Sequence, residues 1–153
     1  GGARFATGHV ITRYLKNAEY LAFFIATAGR EFDAWLRELK TEDDILKEFL
    51  ADAIGSEIAE ATARIMARRM SGSLAEKGMR ISNSYSPGYC GWPVSDQQQL
   101  FELFPHQICG VELNSSSLMS PVKSVSGVIA VGSQVQKMPY GCAICGRKDC
   151  YAR

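Results

Sequence analysis

The chain has 153 residues, 46% of them hydrophobic and 22% charged, with a formal net charge of +1. That is enough for one domain with one sizeable core. There is no cationic surplus to grip nucleic acid, and the longest apolar run, Tyr20 to Ala28, is too short to span a bilayer, so neither a nucleic acid nor a membrane is expected as a partner.

Gly1 to Gly8 reads as the end of something longer, and Ile11 to Leu15 as a short helix. Tyr20 to Thr27 is a continuous apolar run of strand length, which predicts an interior strand covered on both faces. Thr27 is placed to cap a helix over Arg30 to Leu39, with Phe32, Trp35 and Leu36 on one side. Thr41 followed by three acids predicts the start of a long helix running to about Met70. Leu46, Leu50, Ile54, Ile58, Ala61 and Ile65 recur at helical spacing, the pattern of a core stripe. A second stripe, Ala51, Gly55, Ala59 and Ala63, is small throughout and would let another element approach closely. Gly55 costs such a helix roughly 1 kcal/mol against alanine, which close packing would explain. Arg64, Arg68 and Arg69 read as cations at the helix C-terminus, and Ser71 to Lys77 as a linker.

Arg80 to Ser82 begins a strand, Tyr85 to Pro93 is a Gly/Pro/aromatic loop, and Ser95 starts a helix ending near Phe104. Val111 to Leu113 is a short strand, Asn114 to Lys123 a polar loop, and Ser126 to Val131 a strand. The late strands lie too close together for helical crossovers, so an α+β fold with a mainly antiparallel sheet is expected. Residues 1–138 are taken as the domain and 139–153 as a cysteine-rich tail. No export signal is visible, so a cytoplasmic location is expected.

Four segments can carry chemistry. Ser84 to Pro93 is a rigid turn with three aromatics, suited to a flat ligand held by stacking and main-chain hydrogen bonds, or equally to an aromatic-anchored surface loop. In Ser120 to Gly127, Lys123 and the small hydroxyls are suited to an anion or a ligand carboxylate, and also to a plain turn into a strand. Glu60, among alanines and isoleucines, either faces a pocket and accepts from ribose hydroxyls or an ammonium, or is solvated surface. In the tail, Cys142, Cys145 and Cys150 include a C-x-x-C pair followed by glycine, a spacing that suits zinc or an iron–sulfur cluster. Arg147 and Lys148 would favour thiolates there. The opposing reading is a reduced tail with no metal. P-loop, G-x-G-x-x-G, G-x-S-x-G and H-E-x-x-H patterns are absent, and the two histidines, His9 and His106, are far apart.

Three of these segments, in this order, resemble the reactivation domain of cobalamin-dependent methionine synthase. Asp52 to Ala61 is similar to that family's long helix with its A-E-A core. Pro87-Gly88-Tyr89 followed by Trp92-Pro93 is similar to its R-x-x-P-G-Y loop, and Lys123 to Gly127 to its S-V-S-G segment. The resemblance spans roughly Phe5 to Val131. It implies a C-shaped domain with a bent antiparallel sheet flanked by helices, which binds S-adenosylmethionine and presents it to cobalamin held by a partner protein or domain. Flavodoxin or another reductant would deliver an electron, and the domain alone would have no turnover. By resemblance Glu60, Ser86, Gly88 and Tyr89 contact the ligand. Two departures stand out. The family's loop opens with an arginine that pairs with the ligand carboxylate, and Ser84 occupies that position here. Arg80 lies roughly 13 Å upstream in an extended chain. Val128-Ile129-Ala130 is apolar where the family has a polar-aromatic patch. The competing reading is a metal- or cluster-bearing accessory protein that delivers electrons to a corrinoid enzyme and has lost S-adenosylmethionine binding.

Overall fold

A computed structural model describes residues 4–105 and 108–138. The order is helix α1 (Gly8–Tyr14), strand β1 (Tyr20–Thr27), helices α2 (Arg30–Leu39) and α3 (Ile45–Ala75), strand β2 (Arg80–Tyr85), helix α4 (Gln97–Phe101), and strands β3 (Glu112–Leu113), β4 (Met119–Ser120) and β5 (Ser124–Gly132). The main sheet runs β1-β5-β2 and a small one pairs β3 with β4. Every described pairing is antiparallel, as expected for α+β. A register shift between Ile81 and Ser84 interrupts β2.

The interior strand is β5, not β1. From Ser126 to Gly132 every residue of β5 is buried, whereas β1 lies at the sheet edge with Tyr20 and Leu21 exposed. An apolar run reports burial in general and does not rank strands within a sheet.

Helix α3 lies against β1, β5 and β2. Its buried residues are Ala51, Gly55, Ala59 and Ala63, so the small stripe is the packing face. The large stripe is not core: Leu46 is 67% exposed and Leu50, Ile54 and Ile65 are each more than half exposed. Small residues win the contact because they bring the helix backbone close to the sheet. The helix begins later than the threonine predicts. Asp44 is the cap, its Oδ1 accepting from the Lys47 N–H at 3.0 Å. It also runs through the expected linker to Ala75, leaving Arg64, Arg68 and Arg69 in its body. Arg64 pairs there with Glu57. At α2 the cap position is Gly29, and Thr27 Oγ1 accepts from the Gly29 N–H at 3.0 Å instead of capping the first turn. The Ser95 helix is shorter than expected: a single 3-10 turn over Val94–Asp96 precedes α4, which ends at Phe101.

One core cluster joins Phe24, Ala26, Ile81, Ile129 and Val131 to Ala63 of α3. The other joins Val128 and Tyr85 to Ile11, Trp92 and Leu100. Alternate residues of β5 thus feed opposite faces of the sheet. The apolar Val128-Ile129-Ala130 segment is explained by this burial alone.

Candidate functional site

The loop after β2 is anchored by its tryptophan. Trp92 is buried, and its indole N–H donates to Asp96 Oδ2 at 2.9 Å. The same oxygen accepts from the Ala6 N–H at 2.7 Å, and the Phe5 ring stands edge-on to the indole. The turn then closes on itself: the Gly88 N–H donates to Trp92 O at 2.8 Å, and the Trp92 N–H to Tyr89 O at 2.9 Å. Gly88 adopts φ +93°, a conformation that favours glycine. Tyr89 is left projecting at the tip, 61% exposed.

Opposite this loop runs the turn from β4 into β5. The Val122 N–H donates to Asp33 Oδ1 at 3.2 Å, and the other oxygen of Asp33 takes Arg37 at 2.6 Å. The Ala28 N–H donates to Lys123 O at 2.8 Å. Ser124 Oγ sits 2.7 Å from Pro121 O and 2.8 Å from Thr27 Oγ1. The turn is thereby tied to both α2 and the end of β1.

Between loop, turn and α3 lies a cleft of about 250 Å³. Ser56, Ala59 and Glu60 of α3, Ser86, Pro87 and Tyr89 of the loop, and the run Val122 to Ser126 line it. Glu60, Ser86 and Tyr89, spread over thirty positions of sequence, are therefore brought together. Gly88 does not line the cleft, and its N–H is already committed to Trp92. Its part is to shape the turn. Glu60 lines the cleft, is exposed, and has no hydrogen-bond or ion-pair partner among the described residues.

Neither arginine position serves the cleft. Ser84 is exposed on β2 opposite Ile129, and Arg80 stands at the far start of that strand opposite Gly132. The cation at the cleft is Lys123. Its Nζ lies 2.7 Å from Asp52 Oδ1 and 3.1 Å from Ser56 Oγ. Ser126 is also buried at the cleft wall, and its Oγ has no hydrogen-bond partner among the described residues. Sequence reasoning missed Ser56, Gln97 and Met119, which join the lining only through the fold. For Ser56 a signal existed: it lies four residues before Glu60 and so on the same helix face.

Tyr85, at the root of the loop, is buried and stacks on Tyr14 with ring centroids 5.7 Å apart. Burial, with a smaller push from Tyr14, raises its phenol from 10.0 to about 12.

Cys142, Cys145 and Cys150 lie outside the described residues. Among the described residues no group of three His, Cys, Asp or Glu side chains could hold a metal ion, and no helix is long and apolar enough to cross a membrane.

The sequence matches the family described as vitamin B12 dependent methionine synthase, activation domain, over residues 6–152. The match continues through the cysteine-rich tail. Among solved structures it is similar to the crystal structure of the MetH reactivation domain bound to AdoHcy, at 23% identity and a TM-score of 0.62, over 78% of this chain and 41% of that one. The chain thus spans less than half the length of that structure. No curated protein matches it.

Proposed function

This chain belongs to the activation-domain family of vitamin B12 dependent methionine synthase, and from that membership we propose that its cleft holds S-adenosylmethionine and presents the methyl group to cobalamin on a partner protein or domain. The observation that carries the proposal is the convergence of Glu60, Ser86 and Tyr89 on one cleft. The solved relative at 23% identity is a reactivation domain with AdoHcy bound, a ligand built from the same adenosine and amino-acid parts.

In this reading the chain's own residues position and do not react. The Tyr89 ring offers an exposed face for the adenine. Ser86 and the loop backbone offer hydrogen bonds, and Glu60 accepts from an ammonium or ribose hydroxyls. The anchoring of Trp92 keeps the loop in place, so little ordering entropy is lost on binding. Cobalamin, when a partner brings it, supplies the nucleophilic cobalt, and flavodoxin or another reductant supplies the electron. A thiolate metal site at Cys142, Cys145 and Cys150 is a separate proposal resting on spacing alone. Metal analysis of protein prepared without air tests it, and metal-free protein would remove it.

Calorimetric titration with S-adenosylmethionine tests the main proposal, with Ser84→Arg alongside. Saturable binding by the natural protein supports it. Binding by the variant alone would mean a scaffold that has lost its ligand, and would favour an accessory role built on the tail.

A further inference from the structure

Resting on that reading of the cleft, we propose that Lys123 holds the carboxylate of the ligand's amino-acid end, taking over the work for which the family's loop uses an arginine. A carboxylate moved from water into a cleft needs a charged donor there. Among the described residues lining the cleft, Lys123 is the only cation, while Ser84 and Arg80 stand away from it.

Lys123 is built to stay. Its side chain is only 11% exposed, whereas its partner Asp52 is 66% exposed. Its stem fits the notch left by Gly55, where an added Cβ would come 2.8 Å from its Cγ. Its carbonyl is fixed by Ala28 and the preceding amide by Asp33. An ammonium has three donors. Asp52 and Ser56 take two, and the third has no partner among the described residues. Asp52 approaches from the solvent side, where water screens its charge against an incoming carboxylate.

The neighbouring charge fits the same ligand. Glu60 lies one helical turn beyond Ser56, which itself touches Lys123 Nζ. A cation and an uncommitted carboxylate about one turn apart match the zwitterion of an α-amino acid. Lysine gives a single point contact where arginine gives a fork, and the Ser56 hydroxyl holds it in direction.

The test compares S-adenosylmethionine with decarboxylated S-adenosylmethionine, which keeps the sulfonium and amine and lacks only the carboxylate. Titrations use the natural protein, Lys123→Met and Asp52→Asn. The natural protein should prefer the intact ligand by about ten- to a hundredfold, the range of one charged hydrogen bond. Lys123→Met should erase that preference and leave the decarboxylated ligand bound as before. Asp52→Asn, which keeps the lysine and removes its competing anion, should tighten the intact ligand alone by a few fold. A Lys123→Met protein that keeps the preference overturns the inference while the cleft reading stands, as does an Asp52→Asn protein that tightens both ligands equally. Failure of the natural protein to bind either ligand overturns the cleft reading and this inference with it.

Discussion

The β-carbon that Gly55 lacks would lie 2.8 Å from Lys123 Cγ, and closer still to Cε1 of Phe32. One missing methyl group thus seats both the α2 aromatic and the cleft's cation against α3. Helix propensity alone favours alanine at this position by about 1 kcal/mol. Steric overlap opposes it, because forcing a methyl into packed surroundings costs about 1–3 kcal/mol. Gly55→Ala is therefore expected to be destabilising by up to about 2 kcal/mol in urea denaturation. It should also weaken S-adenosylmethionine binding, because Lys123 must shift. An unchanged denaturation midpoint would mean that Phe32 moves aside freely.

Ser126 presents the opposite balance between stability and binding. Its hydroxyl is buried at the cleft wall with no partner among the described residues, a situation that costs about 1–3 kcal/mol. Ser126→Ala should raise the melting temperature of the ligand-free protein and lower its affinity for S-adenosylmethionine. A fall in melting temperature would show that the hydroxyl is satisfied in solution, by water for example.

Asp96 serves two donors with one oxygen, the Trp92 indole N–H and the Ala6 N–H. Asp96→Ala strands the buried indole N–H beneath the loop, while the N–H of exposed Ala6 can turn to water, and should cost about 1–3 kcal/mol, as expected for one buried donor left unmade. Asp96→Asn keeps an acceptor and should cost about half as much. Paired denaturation curves decide this, and ligand affinity should fall in the same order as the loop loosens.

The long helix shows what was legible and what was not. Its existence, its small stripe and the close packing at Gly55 can be read from residue spacing, though both of its ends lie further along the chain than the sequence signals place them. Which stripe faces the sheet cannot, because hydropathy rewards large side chains while close approach to a sheet demands small ones. Leu50 is half exposed and Ala59 is buried. Leu50→Gln is therefore expected to change stability by no more than about 0.5 kcal/mol. Ala59→Leu should cost about 1–3 kcal/mol by overpacking. Reversal of that order would restore the large stripe as core. The candidate site was partly legible for a similar reason. Glu60, Ser86 and Tyr89 could be named from motif and residue type, and they do share the cleft. Gly88 is not among the residues lining the cleft, and its amide is bonded to Trp92 O within the turn. Lys123 stood among plausible anion contacts, but its pairing with Asp52 and Ser56 depends on the register that sets the β4–β5 turn against α3.

Alkaline pH probes the root of the loop. The Tyr85 phenol is pushed up to about 12, chiefly by burial, from an ordinary value of 10.0. The raised value means that the folded protein keeps this proton where the unfolded chain releases it. Between about pH 10 and 12 the unfolded state therefore binds fewer protons than the native state, and stability falls as pH rises. Below pH 10 both states hold the proton, and Tyr85 contributes no slope. Other groups titrate in the same window, so the informative quantity is the difference between the natural protein and Tyr85→Phe. The variant should keep the stack on Tyr14 and lose less stability on going from pH 9 to pH 11.5. Denaturation midpoints at the two pH values measure that difference. Parallel losses in the two proteins would mean that the phenol is hydrated in solution and ionises at its ordinary value.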